Sequence, residues 1–168
     1  MMENYSYYDL AKRKYVDASL QMLDHFRTNV IEVHHIGSSS FTSLNMPEDI
    51  DVLVILKTQN QVAELPDVLI AEGYEIIKNF SPYYINETIV RGKSDDVYVN
   101  FIFMADGEPR KQEILKCKTY INENNECLEE FIHLKKQYHH ASLSEEKYQE
   151  KKEAFFSGIV LDEDINVV

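Results

Sequence analysis

The chain has 168 residues, with 17 Lys+Arg against 29 Asp+Glu and a net charge of −12. That length suits one domain with a buried core, expected over 1–168, and the acidic balance excludes an extended nucleic-acid surface, because such a surface repels phosphate. No apolar run approaches the ~18 to 20 residues that span a bilayer, and residues 1–5 lack a basic stretch leading into an apolar one, so no membrane contact and a cytoplasmic location are expected.

Residues 7–27 place Tyr8, Tyr15, Ser19, Met22 and Phe26, with Val16, Leu20 and Leu23 beside them, at steps of three, four and seven, which predicts an amphipathic helix. The β-branched run 30–36 ends at Gly37 and reads as a strand. Residues 38–48 are polar with one proline and read as a loop. Residues 49–56 carry acids only at their start and are otherwise apolar, the pattern of a central strand covered on both faces. A helix is expected over 61–72, with Pro66 kinking it or starting a fresh turn and Gly73 ending it. Strands are expected over 74–78, 84–90 and 97–104, the last with Val97, Val99, Phe101 and Phe103 alternating against Tyr98, Asn100 and Ile102.

The final third is helical in character, over 109–122, 127–140 and 144 to about 160. Ser144 followed by Glu145 and Glu146 is a helix-start signal. Cys117 and Cys127 lack metal-ligand spacing and read as buried thiols. Sheet first and helices last is an α+β plan, a mixed β-sheet with flanking helices and a helical C-terminal third.

The chemistry concentrates around Gly37-Ser38 and Asp49-Ile50-Asp51, with ten residues, 39–48, between Ser38 and Asp49. Residues two apart on a strand return to one face, so Asp49 and Asp51 present their carboxylates together, with α-carbons about 6.5 to 7 Å apart. Such oxygens converge on one hard cation, or on a pair ~3.5 to 4 Å apart. Gly37 removes a side chain where a phosphate would approach, and Ser38 with neighbouring N–H groups can donate to it. Asp95-Asp96, after Gly92-Lys93-Ser94, could supply a further acid and reads more simply as a two-acid turn, and most of the tyrosines, Tyr98 among them, read as core or rim residues.

Gly-Ser, a spacer and Asp-x-Asp resemble the signature of the nucleotidyltransferase superfamily. A closer resemblance covers nearly the whole chain. His35-Ile36-Gly37-Ser38-Ser39-Ser40, Leu44 and Asp49-Ile50-Asp51-Val52 are similar to the His-Ile-Gly-Ser-Thr-Ser, Leu and Lys-Pro-Ile-Ile-Asp-Ile-Asp-Val elements of the GrpB family. Leu69 to Glu75 resembles its Leu-x-x-Leu-Gly-Tyr-Glu, and Tyr148 to Phe156 its closing Tyr-x-x-x-Lys-x-x-Phe helix. This resemblance implies a nucleotidyltransferase-like fold, with Asp49 and Asp51 as metal-binding and catalytic carboxylates, Mg²⁺ or Mn²⁺ as cofactor, and a nucleoside triphosphate or other phosphorylated small molecule as partner. It implies ligand contacts from Gly37, Ser38, Ser39, His35 and Asn100.

The chain departs from the family's pattern in three places. Phe41-Thr42-Ser43 replaces Val-Pro-Gly, the Lys before the proline is Met46, and the later His-x-His is Asn100-Phe101-Ile102. An amide cannot serve as the third carboxylate of a metal site. The residues therefore leave two readings: Mg²⁺-dependent nucleotidyl transfer, and a non-catalytic nucleotide- or phosphometabolite-binding module.

Overall fold

The computed structural model describes residues 7–41, 49–78, 83–94, 96–140 and 142–166. Most of the loop expected over 38–48, and Asp95 of the acidic turn, lie outside the described residues. The chain divides into two compact units, one formed by residues 1–40 and 45–111, the other by 41–44 and 112–168.

The first unit is a five-stranded sheet with one long helix. Helix α1 spans Tyr7–Phe26 and precedes β1, Val30–Ile36, and β2, Ile50–Leu56. Short β3, Glu75–Ile76, then β4, Thr88–Ser94, and β5, Val97–Ala105, complete the sheet. The strand order is β1-β2-β5-β4-β3. Only the central β2–β5 pairing is parallel; the other three are antiparallel, which makes the sheet mixed.

The apolar continuity of β2 has the expected cause: Val52 to Leu56 are all fully buried, so both faces of the strand are covered. One face packs with α1, where Met22 and Phe26 join Val52, Val54, Leu56, Val99, Phe101 and Phe103 in a single core. Phe26 meets Phe103 edge-on at 5.6 Å. The buried stripe of α1 is narrower than the sequence suggests. It runs through Ala11, Ala18, Met22 and Phe26, while Val16, Leu20 and Leu23 stay exposed. Alanine at two of the four contacts lets the helix backbone approach the sheet more closely than leucine would.

Three further elements differ from expectation. The helix read over 61–72 is two pieces, α2 at Gln59–Glu64 and a 3-10 segment over Leu65–Glu72, because Pro66 at the junction has no N–H to continue the α-helical ladder. Gly73, at φ +93°, ends the second piece as read. The strand expected over 74–78 shrinks to two residues, and the one expected over 84–90 is displaced to Thr88–Ser94, running on through Arg91, Gly92 and Lys93.

The second unit is helical: α3, Arg110–Glu123, whose first two residues belong to the first unit, then α4, Asn125–His139, and α5, Glu145–Asn166. Asn124 caps α4 by accepting the Cys127 N–H at 3.1 Å, and Ser144 caps α5 by accepting the Lys147 N–H at 3.2 Å. An aromatic cluster fills the unit, with Phe131 within 5.6 Å of Phe41, Phe155 and Phe156. Phe41, one of the departures from the family pattern, thus acts as a core anchor.

Candidate functional site

In a β-ladder, residues paired across strands point to the same face. Ile36 pairs with Asp51, Asp51 with Asn100, and Asn100 with Arg91, so one row crosses β1, β2, β5 and β4 on the face opposite α1. The row is polar from Asp51 outward, on a face that otherwise carries buried Leu53, Ile55, Ile102 and Met104. A polar row inside an apolar face is retained only where its members satisfy one another.

They do so in sequence. Asn100, only 1% exposed, donates from Nδ2 to Asp51 Oδ1 at 2.9 Å, and its Oδ1 accepts from Arg91 Nε at 2.8 Å. The carboxylate accepts and the guanidinium only donates, which fixes the amide's orientation between them. Arg91 Nη2 stands 3.7 Å from Asp49 Oδ2, with the two side chains 30% and 47% exposed. That separation makes an ion pair in contact with water, a weak one. Asp49 lies two residues before Asp51, just ahead of β2, so the expected carboxylate pair reaches the same row.

Gly37 ends β1 beside this row. Its φ is +71°, and a Cβ there would overlap Asp51 Oδ2 and stand 3.2 Å from Asp51 Cβ and Cγ. Glycine is therefore required by the aspartate itself, a reason the sequence does not disclose. The following turn is a short 3-10 segment, Ser38–Ser40, with all three serines buried. Ser40 closes it, its N–H and Oγ both donating to Gly37 O, at 3.1 and 2.6 Å.

His35 is the sequence-expected ligand residue that the structure places elsewhere. It pairs with Val52, one residue out of phase with Asp51, and so faces α1. There its ring stacks on Tyr15 at a centroid distance of 4.9 Å and its Nε2 shares a hydrogen bond of 2.8 Å with Ser39 Oγ. His35 and Ser39 thus brace the turn from the α1 side. Gly37, Asp49, Asp51 and Asn100 come together; His35 does not join them.

Arg91 is the member that sequence reasoning missed. Its signal lies in hairpin arithmetic: with the turn between Ser94 and Val97, Arg91 falls opposite Asn100. Ending the preceding strand at Val90, one residue short of Arg91, concealed that pairing.

The donor set decides how a divalent ion would fit. Two carboxylates are hard oxygen ligands of the right class. The neighbouring parallel strand, however, presents Asn100, whose N–H already answers Asp51 Oδ1, and the Arg91 cation stands at Asp49. Among the described residues no group of three or more His, Cys, Asp or Glu could hold a metal ion. A divalent ion at this row would meet two carboxylates flanked by N–H donors, with an amide in place of a further carboxylate on the neighbouring strand.

A mixed sheet in which a Gly-Ser turn follows the edge strand, with acids at the start of the next strand, is a nucleotidyltransferase-like fold. The family model described as GrpB protein matches residues 7–161, and the chain belongs to the GrpB family. The crystal structure of the conserved protein GrpB from Enterococcus faecalis is similar, with a TM-score of 0.78 and 24% identity over 94% of each chain. A structure of the RNA terminal uridylyl transferase Cid1 is similar with a TM-score of 0.52 and 13% identity, covering 76% of this chain and 39% of Cid1. A Cid1 poly(U) polymerase mutant bound to MgATP gives 0.51 and 15%, covering 79% and 42%. The chain therefore spans about two fifths of Cid1. None of the curated proteins matches it. No helix among the described residues is long and apolar enough to cross a membrane.

Proposed function

We propose that this protein binds a nucleoside triphosphate, or a small molecule of the same phosphorylated chemistry, beside the turn from Gly37 to Ser40, and that it acts as a non-catalytic binding module. One observation carries the reading: Asn100 joins Asp51 to Arg91 where a third carboxylate would otherwise complete a metal site. The proposed ligand class is supported by the likeness in fold to Cid1, one structure of which is bound to MgATP. Residues 1–168 would act as one functional unit in the cytoplasm, where nucleoside triphosphates are abundant.

Thermal-shift titration with the four nucleoside triphosphates tests this reading. A ligand that binds only the folded chain raises the midpoint. A rise with at least one triphosphate, and no pyrophosphate release over hours with a library of hydroxyl and amine acceptors, is the expected outcome. No midpoint shift with any of them would overturn it.

The second reading, nucleotidyl transfer dependent on Mg²⁺ or Mn²⁺, is favoured by the placement of Asp49 and Asp51 on one row next to Gly37. In it the two carboxylates would hold the ion while Gly37 and Ser38 shape the phosphate side, with Ser39 turned to His35. Metal-dependent pyrophosphate release, lost in Asp49→Asn and in Asp51→Asn, would establish transfer and displace the binding-only reading.

A further inference from the structure

The half-buried guanidinium of Arg91 is held in a manner suited to receiving a ligand. Its Nε is committed to Asn100 Oδ1 at 2.8 Å, and its Cζ lies 4.9 Å from the centroid of the Tyr98 ring. The hydrogen bond fixes one edge of the plane and the ring supports one face. Lys93, which pairs with Tyr98 across the hairpin, brings a second cation to 5.7 Å from the same ring. Among the described residues neither Nη nitrogen of Arg91 donates a hydrogen bond; the ion pair with Asp49 at 3.7 Å is beyond that range. A planar fork whose outer N–H groups make only the water-exposed ion pair with Asp49, positioned by a buried amide, matches the two-oxygen edge of a phosphate.

Charge supports the assignment. The chain carries a net −12, so a polyphosphate approaching most of its surface is repelled. A local cation has to offset that repulsion at the site. The sequence has Met46 where the resembled pattern has Lys, and Arg91 with Lys93 brings positive charge close to Asp49 and the Tyr98 ring.

We propose that Arg91 is the phosphate-binding group of this site, a resident cation held by Asn100 and Tyr98, and that a phosphorylated ligand binds there without a divalent ion. The proposal rests on the binding function put forward above.

Calorimetric titration of ATP and of inorganic tripolyphosphate into the full chain, once in EDTA and once in Mg²⁺, tests it with the wild type, Arg91→Lys and Arg91→Gln. Wild type is expected to bind in EDTA. Arg91→Gln should weaken binding tenfold or more, and Arg91→Lys should fall between, because lysine keeps the charge and loses the planar fork. Circular dichroism checks that each variant folds; Arg91→Lys preserves the test if the glutamine variant does not. Binding only in Mg²⁺, or variants that titrate like wild type, would overturn the role of Arg91 and leave the binding function standing. No binding by wild type in either buffer would overturn both.

Discussion

Asp51 Oδ2 occupies the space that a Cβ on residue 37 would need, and Gly37, at φ +71°, leaves that space open. Two requirements meet at one residue: a left-handed backbone and the absence of a side chain. Gly37→Ala should therefore cost about 2 to 4 kcal/mol, combining left-handed strain with overpacking. Urea denaturation measures it. Adding Asp51→Ala removes the overlap but not the strain, so the double variant should recover part of the loss. A Gly37→Ala protein within about 0.5 kcal/mol of wild type, the range of an ordinary surface change, would refute the close approach.

Asn100 separates a carboxylate from a guanidinium. Asn100→Asp would set two carboxylates against each other with the N–H donor gone, at a cost of about 1 to 3 kcal/mol near neutral pH. Their repulsion raises the folded-state pKa of the pair. The variant's deficit should thus shrink as pH falls through that raised value and grow as pH rises. Mn²⁺ should raise the thermal midpoint of Asn100→Asp and leave wild type nearly unmoved. Equal Mn²⁺ shifts in the two proteins would contradict this account of the amide.

Burial, with Glu130 adding to it, pushes the Cys127 thiol up to about 11. At pH 8 its thiolate fraction is then about one in a thousand, against roughly a quarter for a free thiol near 8.5. Iodoacetamide should label Cys127 in the folded chain about two orders of magnitude more slowly than in urea, as peptide mass mapping would show. The sign for stability follows. The thiol's contribution is fully present below the unfolded pKa and is lost as pH rises toward 11, so the thermal midpoint should decline across that window. Fast labelling of folded protein at pH 8 would refute the burial.

Helices α4 and α5 each begin on a side-chain cap, Asn124 and Ser144. Replacing either with alanine removes the acceptor for a first-turn N–H and should cost about 1 kcal/mol, while glycine at the same position should cost only a few tenths. Chemical denaturation of the four variants checks the ranking. Alanine and glycine variants of equal stability would show that the caps contribute nothing.

The sequence made the central features legible where a single local cause governed them. β1 matches its expected bounds because a β-branched run meets Gly37, and β2 is evident because five buried residues in succession leave no polar face. The acid pair beside the Gly-Ser turn was equally plain. What stayed hidden depended on distant neighbours. The strand expected to end at Val90 runs on through Gly92, where the Tyr74 ring occupies the space a Cβ would need. That contact joins residues far apart in the chain, so nothing local to the sequence shows why the strand that carries Arg91 accepts a glycine. The expected stripe of α1 is the buried one, but its edges were hidden for a similar reason: Ala11 and Ala18 look neutral in a hydrophobic pattern, while close approach to the sheet makes them buried contacts and leaves Val16, Leu20 and Leu23 exposed.

The most direct test of the site is a crystal structure of the chain with a non-hydrolysable nucleoside triphosphate, grown without divalent metal. The account predicts a phosphate oxygen within hydrogen-bond distance of an Arg91 Nη nitrogen, on the side of the sheet where Asp51 meets Gly37. A nucleotide seated away from that row, or no nucleotide at all at saturating concentration, would contradict it.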